Sequence, residues 1–279
     1  MTFYYKKEEN IMRRILTTTT ALLLLTGCAT GNNQETNDAF TVGMECNYAP
    51  FNWTTLEANE HTVQLTEVDY CDGYDVVMAQ DIANHLGLEL EIKKIAWNGL
   101  EPALNTGEID AIIAGMTATP SREENADFTN PYYESEMVII VRNDSELTSI
   151  TNIQELSGYT VQGQINTTYD EVITQIEGVN HATPLDTYPL MVVALQDQAV
   201  DALVAEMPVA KGIISSNPDL AIVTFEKEAG FVADTSVSVA VASGNTELLN
   251  SINEYLDTVD QETRNNIMLE SVNRQPAGE

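Results

Sequence analysis

From Phe40 onward, short apolar runs alternate along the chain with stretches in which apolar residues recur every three or four positions. This alternation is typical of βαβ units and predicts an α/β protein with a mostly parallel sheet. Gly87 follows the first amphipathic stretch and is suited to end a helix, and Asn98 is suited to cap the next one. The predicted elements are strands 41–44, 88–92 and 109–114 and helices 75–86 and 98–105.

One of these units recurs about ninety residues later. Residues 104–116 align without gaps with residues 195–207, and each copy reads as a helix end, a turn, an Asp-Ala pair and an apolar strand. The two aspartates are Asp110 and Asp201. Such distant copies favour two lobes of similar construction over one large sheet, although helix-turn-strand units also resemble one another in general.

The carboxyl ends of the two repeated strands are the expected location of a binding site. In open α/β sheets, ligands bind beyond these ends, where loop amides and helix N-termini converge. The first copy ends in residues 115–119, which offer amides and hydroxyls, and Arg122 follows closely. The second copy ends in the carboxylate of Glu206. Together, Arg122 and Glu206 could hold the two ends of a zwitterion.

The N-terminus is typical of an export signal. Four basic residues precede an apolar run at 15–25, which is too short to span a bilayer as a helix. The run ends in Leu-Thr-Gly-Cys28, which resembles the lipobox of bacterial lipoproteins and predicts acylation of Cys28. The alternative is an ordinary signal with an incidental cysteine. In either case Met12 opens a more ordinary signal than Met1 does and is a second candidate start. Residues 28–39 are predicted to form a flexible tether.

Charge and reactive side chains exclude several classes of function. A net charge of −31 excludes nucleic acid as a partner, because phosphate binding needs clustered Lys and Arg. The three histidines are scattered, no Cys/His pair has metal-ligand spacing, and we expect neither a metal nor a cofactor. Cys46 and Cys71 are either bridged, as an exported protein permits, or two buried thiols.

Several motifs, in order and spacing, resemble the polar amino-acid-binding proteins of ATP-binding-cassette (ABC) importers, known as solute-binding family 3. The resemblance covers nearly all of the chain after the tether. It is carried by Val42-Gly43, Tyr48-Ala-Pro-Phe51, Gly73-Tyr-Asp-Val76, Trp97-Asn-Gly-Leu100, 109–117, Arg122, Phe128, Pro131-Tyr-Tyr133 and Val200-Asp-Ala202.

The resemblance implies a type II periplasmic-binding-protein-like fold, in which two hinge strands join two lobes and the ligand cleft lies between them. Ligand binding would close the hinge. The implied divisions are a signal peptide (1–27), the tether (28–39), lobe 1 (40–134 and 236–279) and lobe 2 (135–235).

The resemblance also assigns the groups that would hold the ligand backbone. Arg122 lies where the family places the arginine that grips the α-carboxylate, and its planar guanidinium suits a bidentate contact. Hydrogen bonds from the hydroxyls or backbone of four further residues would support it; these are Gly115, Thr117, Thr167 and Thr168. Glu206 lies where most members carry an aspartate that pairs with the α-ammonium group.

Three residues would face the ligand side chain. Tyr48 and Trp97 occupy positions whose rings flank it in family members, although each could also be a core aromatic. Glu45 aligns with an acidic residue that meets the cationic head group in lysine- and arginine-binding members, although it could instead be one more surface carboxylate. The implied ligand is therefore a polar amino acid, with a basic one favoured and glutamine or cystine left open.

The implied function is that of a lipid-anchored, extracytoplasmic receptor of an amino-acid importer. Its partners would be the free amino acid, the ABC permease and ATPase subunits, and the membrane through its anchor, and we expect a monomer and no enzymatic activity. The alternatives are a lipoprotein that presents its ligand to a sensor, or an enzyme of the same fold such as a dehydratase of cyclic acids or a lytic transglycosylase.

Overall fold

The computed structural model describes residues 39–276. The predicted signal peptide, Cys28 and the tether up to residue 38 lie outside the described residues, and Ala39 is already the first residue of a strand. The strands are β1 (Ala39–Met44), β2 (Asn47–Tyr48), β3 (Asn52–Thr55), β4 (Val63–Gln64), β5 (Tyr70–Asp72), β6 (Glu89–Lys94), β7 (Ala111–Ile112), β8 (Ala126–Phe128), β9 (Tyr133–Glu134), β10 (Met137–Arg142), β11 (Thr160–Gln162), β12 (Asn180–His181), β13 (Ala202–Glu206), β14 (Leu220–Val223), β15 (Ser236–Val237) and β16 (Ala240–Ala242). The α-helices are α1 (Tyr74–Leu86), α2 (Trp97–Thr106), α3 (Pro120–Glu123), α4 (Thr168–Glu171), α5 (Tyr188–Gln196), α6 (Met207–Ser216), α7 (Thr246–Leu256) and α8 (Gln261–Arg274), and 3₁₀ helices cover Glu146–Ser149, Ile153–Leu156 and Val172–Gln175.

Two five-stranded sheets, one in each lobe, share a single plan. The strand order is β6-β1-β7-β16-β8 in lobe 1 and β12-β11-β13-β10-β14 in lobe 2. In each sheet the first three strands run parallel, and the last two pair antiparallel with their neighbours. The predicted two-lobed α/β fold is therefore confirmed.

The chain crosses between the lobes twice. On the way out it passes through β9 and on the way back through β15, and these two strands pair antiparallel, with Ser236 opposite Glu134. In each sheet, the fourth strand (β10 or β16) is the first strand that the chain forms after its crossing. The predicted lobe boundaries fall next to this strand pair.

Equivalent hydrogen bonds in the two lobes confirm the sequence repeat. Asp110 accepts from the backbone N–H of Thr41 (2.8 Å) and donates its own N–H to the Thr41 carbonyl (2.8 Å). Asp201 does the same with Thr160, at 2.9 and 2.8 Å. Each aspartate therefore joins the turn before its strand to the neighbouring parallel strand, β1 or β11.

Three sequence predictions needed correction. Helix α2 begins at Trp97 with Ala96 as its cap, so Asn98 lies in the first turn and does not cap it. Its side chain instead accepts a hydrogen bond from Asn166 (2.6 Å). The strand predicted over 109–114 is only the two-residue β7, because the chain turns towards the cleft at Gly115, whose φ is +61°. The strand predicted over 88–92 is β6, which begins one residue later and ends two residues later, at Lys94.

The core explains why β10 of lobe 2 is apolar from Val138 to Val141. Alternate residues of β10 face opposite sides of the sheet: Val138 and Ile140 belong to the larger buried cluster, and Ile139 and Val141 to a second one. The larger cluster also contains most of the core of lobe 1. A strand buried on both faces needs apolar side chains at every position.

The structure joins Cys46 and Cys71 in a disulfide, with 5.7 Å between their Cα atoms. Cys46 follows β1 and lies next to Glu45, and Cys71 lies in β5, which belongs to the small sheet β2-β3-β5-β4. The bridge therefore fixes the segment that carries Glu45 and Tyr48. Across residues 39–276, no helix is both long and apolar enough to cross a membrane.

Candidate functional site

The carboxyl ends of the two sheets meet at a small cavity between the lobes. About 290 Å³ of space lies between the atoms there, part of it open to solvent. Of the nine predicted ligand-binding residues, eight line this cavity, and Glu206 is the exception. The residues that line it are Glu45, Tyr48, Trp97, Ala114, Gly115, Thr117, Arg122, Gln164, Thr167, Thr168 and Tyr169.

Arg122 lies in α3 and provides the positive charge of the cavity. Its guanidinium donates from Nη1 to the Thr117 carbonyl (2.8 Å) and from Nη2 to the Asn166 carbonyl (2.9 Å). Its Nε lies 3.4 Å from a Glu101 carboxylate oxygen, and its Cζ lies 5.2 Å from the centre of the Trp97 ring. Because a guanidinium has five N–H groups, one hydrogen on each terminal nitrogen remains for a ligand carboxylate.

Glu206 ends β13 and is fully buried. One carboxylate oxygen accepts from the Tyr48 hydroxyl, and the other accepts from the Ser135 hydroxyl at 3.0 Å. Burial raises the pKa of Glu206 to about 7, against the lowering effect of these hydrogen bonds. The carboxylate does not itself line the cavity, because the Tyr48 hydroxyl occupies one of its oxygens, and a ligand ammonium would have to replace or share that contact.

Glu45 is the carboxylate that does line the cavity. It is 7% exposed, and one of its oxygens accepts a hydrogen bond from the Gln164 side chain at 3.2 Å. Burial raises the pKa of Glu45 to about 7, the Gln164 hydrogen bond lowers it, and Asp186 raises it further. Among the described residues, Glu45 forms no ion pair with a cation.

The two predicted aromatic residues have different environments. Tyr48 stacks on Phe51, with ring centres 5.3 Å apart, and is tilted against Tyr188 at 5.5 Å. Its ring therefore packs against other aromatic side chains, and its hydroxyl is bonded to Glu206. Trp97 donates its ring N–H to the Asn166 carbonyl at 3.2 Å and lies against Arg122. It lies at the Arg122 end of the cavity.

The strand end of lobe 1 contributes less than the sequence suggested. The Gly115 N–H donates to the Tyr132 hydroxyl at 2.9 Å, so only its carbonyl oxygen is left for a ligand. A side chain at Gly115 would meet the Tyr48 ring at 2.9 Å, which explains the need for glycine. Thr117 is buried in the cavity wall, and its carbonyl accepts from Arg122.

The lobe 2 wall is formed by residues 163–169. A Cβ on Gly163 would lie 2.5 Å from the Asp170 Cα, so only glycine lets α4 pack this closely on β11. Thr167 donates its hydroxyl to the Gln164 carbonyl (2.7 Å), and both Thr167 and Thr168 line the cavity. Asn166 adopts a left-handed φ of +57°, a conformation that Asn tolerates better than most residues other than glycine.

Sequence reasoning missed several residues of this site. Asn166 bridges the lobes through bonds with Arg122, Trp97 and Asn98. Gln164 bonds to Glu45 across the cleft. Tyr169 lines the cavity, and its hydroxyl has no hydrogen-bond partner in the described part of the chain. The signal for Tyr169 was its position directly after Thr167-Thr168.

Comparisons with known proteins identify the family. The model of the bacterial extracellular solute-binding proteins, family 3, matches residues 40–270. The chain belongs to this family. Its members are solute-binding proteins rather than enzymes, and the predicted family membership is confirmed. In residues 39–276, no group of three or more His, Cys, Asp or Glu side chains is placed to hold a metal ion.

Similar proteins differ in the ligands that their names give. A probable histidine-binding protein of Campylobacter jejuni is 31% identical over 70% of this chain and 72% of its own length. The L-cystine-binding protein TcyJ of Escherichia coli is 29% identical over 81% of this chain and 79% of its own. The arginine-bound form of truncated ArgBP from T. maritima is 31% identical, covers 80% of this chain and 97% of that one, and has a TM-score of 0.68.

Proposed function

We propose that this chain captures an amino acid with a basic side chain outside the cytoplasmic membrane and delivers it to the permease and ATPase of an ABC importer. Cys28 would anchor it to the membrane by an attached lipid. Closure of the two lobes around the ligand, with β9 and β15 as the hinge, would enclose the ligand.

The charges of the cavity carry this proposal. At one end Arg122 keeps two N–H groups for a carboxylate. Glu45 lines the same cavity, and within residues 39–276 its only side-chain partner is the neutral amide of Gln164. A buried carboxylate is stabilised by a paired cation. A ligand with a carboxylate and a cationic side chain complements both groups.

The first experiment is a ligand screen on the protein lacking residues 1–28. Differential scanning fluorimetry against the twenty amino acids and cystine is expected to give the largest rise in melting temperature with L-arginine or L-lysine, because a ligand that binds only the folded state stabilises it. Calorimetry then measures the dissociation constant. If no amino acid raises the melting temperature, the proposal is wrong.

A second experiment tests the anchor. In cells that express the full chain, we expect the protein in the membrane fraction, and we expect the Cys28→Ala variant to lose this attachment. Mass spectrometry of the mature N-terminus should find an acylated Cys28. An unmodified residue at this position would contradict the lipoprotein assignment.

A cystine receptor is the second candidate. Glu45 lines both the small cavity and a larger open groove that also contains Lys94. A ligand longer than arginine could therefore extend past Glu45 into this groove, with its second ammonium at Glu45. A larger shift with cystine than with arginine in the same screen would favour this candidate.

A further inference from the structure

The Tyr169 hydroxyl is an unusual polar group in this site. The side chain is only 4% exposed, and its hydroxyl has no hydrogen-bond partner among the described residues. Buried polar groups are almost always paired, because an unpaired one loses its bonds to water and gains nothing in return. Because Tyr169 lines the cavity, a ligand bound there can supply the missing partner.

The ring of Tyr169 is held in place by the core of lobe 2. It belongs to the buried cluster that includes Val172, Ile173 and Val204. The close approach of α4 to β11, which Gly163 permits, fixes the backbone on either side. The hydroxyl is therefore presented to the cavity by a packed side chain, which is how precise ligand contacts are supported.

The surroundings of the hydroxyl indicate which part of an amino acid it meets. Burial raises the pKa of Tyr169 well above its usual value, and the charge of Glu206 adds to this effect. Tyr169 also acts on the pKa of Arg122, so it lies close to both charged groups. It makes no hydrogen bond of normal geometry to Glu206. It thus lies near the proposed sites for both ends of the zwitterion.

The hydrogen-bonding capacity of Arg122 and Glu206 indicates whether the Tyr169 hydroxyl meets the carboxylate or the ammonium group of the ligand. Two N–H groups of Arg122 are left for the ligand carboxylate and can pair with its two oxygens. Each oxygen of Glu206 already accepts a hydroxyl, one from Tyr48 and one from Ser135. An ammonium group has three N–H donors and therefore needs oxygen atoms beyond this carboxylate. The Tyr169 oxygen is available for one of them.

We propose that the Tyr169 hydroxyl accepts a hydrogen bond from the α-ammonium group of the ligand and makes a free α-amine a condition for tight binding. This inference rests on the proposed amino-acid-binding function. A ligand without the amine leaves a buried hydroxyl unpaired, and sites built to hydrogen-bond one ligand group discriminate strongly against analogues that lack it.

The test combines a variant with a ligand analogue. Dissociation constants are measured by calorimetry for wild type and Tyr169→Phe, with L-arginine and with 5-guanidinopentanoate, which is arginine without its α-amine. Tyr169→Phe is expected to weaken arginine binding about 10-fold or more, because the lost bond involves a charged group. Its effect on the analogue is expected to be less than about twofold.

A matched control uses another tyrosine of the same lobe. The Tyr159 hydroxyl donates to the exposed Glu146, outside the cavity. Tyr159→Phe should leave both dissociation constants unchanged. Thermal unfolding of ligand-free Tyr169→Phe should occur at or above the wild-type temperature, because the substitution removes an unpaired group, and this result would exclude misfolding as the cause of weaker binding.

Three results separate this inference from the proposed function. If wild type binds arginine and Tyr169→Phe binds it equally well, the role of Tyr169 is wrong and the receptor function stands. Equal losses for arginine and its analogue would also overturn the inference, because the hydroxyl would then not recognise the amine. If the screen selects another amino acid, the same comparison uses that acid and its form without the amine; if it selects none, both proposals fall.

Discussion

Replacing Glu45 with glutamine is expected to change ligand-free stability and ligand affinity in opposite directions. Glutamine keeps the shape of the side chain and can still accept the hydrogen bond from Gln164, but it carries no charge. A purely structural role for Glu45 predicts a loss of stability instead. The two measurements together therefore distinguish a ligand-binding carboxylate from a structural one.

The gain in stability follows from the pKa of Glu45. Burial raises this pKa from 4.5 to about 7. One pKa step corresponds to about 1.4 kcal/mol, so the ionised carboxylate costs up to about 3 kcal/mol of folding free energy. This cost is absent below pH 4.5, where the group is protonated in both states, and complete above pH 7. Glu45→Gln should therefore match wild type at pH 4 and exceed it at pH 8.

The loss of affinity follows from the missing ion pair. Removing one partner of a buried charge pair typically costs 2 kcal/mol or more, so we expect L-arginine to bind roughly 30-fold more weakly or worse. Wild-type affinity for L-arginine should fall as the pH is lowered through 7, because Glu45 becomes protonated. The affinity of Glu45→Gln should depend less on pH, because only the protonation of Glu206 then contributes.

Urea unfolding at pH 4 and pH 8 and calorimetry with L-arginine provide the measurements. Glu89→Gln is a matched control on the exposed face of β6 and should change neither quantity. If Glu45→Gln lowers ligand-free stability at pH 8, or binds arginine as tightly as wild type does, the assignment of Glu45 to the ligand head group is wrong.

Three further changes probe the rest of the site. Arg122→Lys keeps the charge but loses the planar pair of donors, so we expect calorimetry to show at least 30-fold weaker binding of any amino acid; a smaller loss would mean that the carboxylate binds elsewhere. Replacing Cys46 and Cys71 with serine opens a loop with a sequence separation of 25, which should lower the free energy of unfolding by ~3 kcal/mol in urea titrations, and unchanged stability would show that the bridge does not form. Gly163→Ala places a Cβ against the Asp170 backbone and should cost about 1–3 kcal/mol of stability and weaken binding, whereas a neutral effect would show that α4 moves freely.

The fold was predictable because its signals are local and repeated. The apolar periodicity and the two Asp-Ala turns follow from side-chain burial and from the same hydrogen bonds to Thr41 and Thr160. The prediction that Asn98 caps α2 was wrong because the contact that this side chain makes is not local. Asn is a good cap by local propensity, but here its side chain bonds to Asn166, which is distant in sequence.

Arg122 was recognisable from its charge and its position after a strand end, whereas the role of Glu45 was implied by the family resemblance. Asn166 and Tyr169 were not recognisable, because their roles depend on contacts across the cleft and on which hydroxyl is left without a partner. The Gly115 N–H is likewise unavailable to a ligand, because tertiary packing pairs it with the Tyr132 hydroxyl.

The double crossing of the chain between the lobes sets the order in which the lobes can be completed. All five strands of the lobe 2 sheet lie between residues 137 and 223, whereas the lobe 1 sheet needs β16, at Ala240–Ala242, between β7 and β8. A chain that emerges from its N-terminus can therefore complete lobe 2 while β7 still has an unpaired edge. Such edges invite pairing with other chains. Lobe 1, which begins to emerge first, therefore keeps an unpaired strand edge for longer than lobe 2 does.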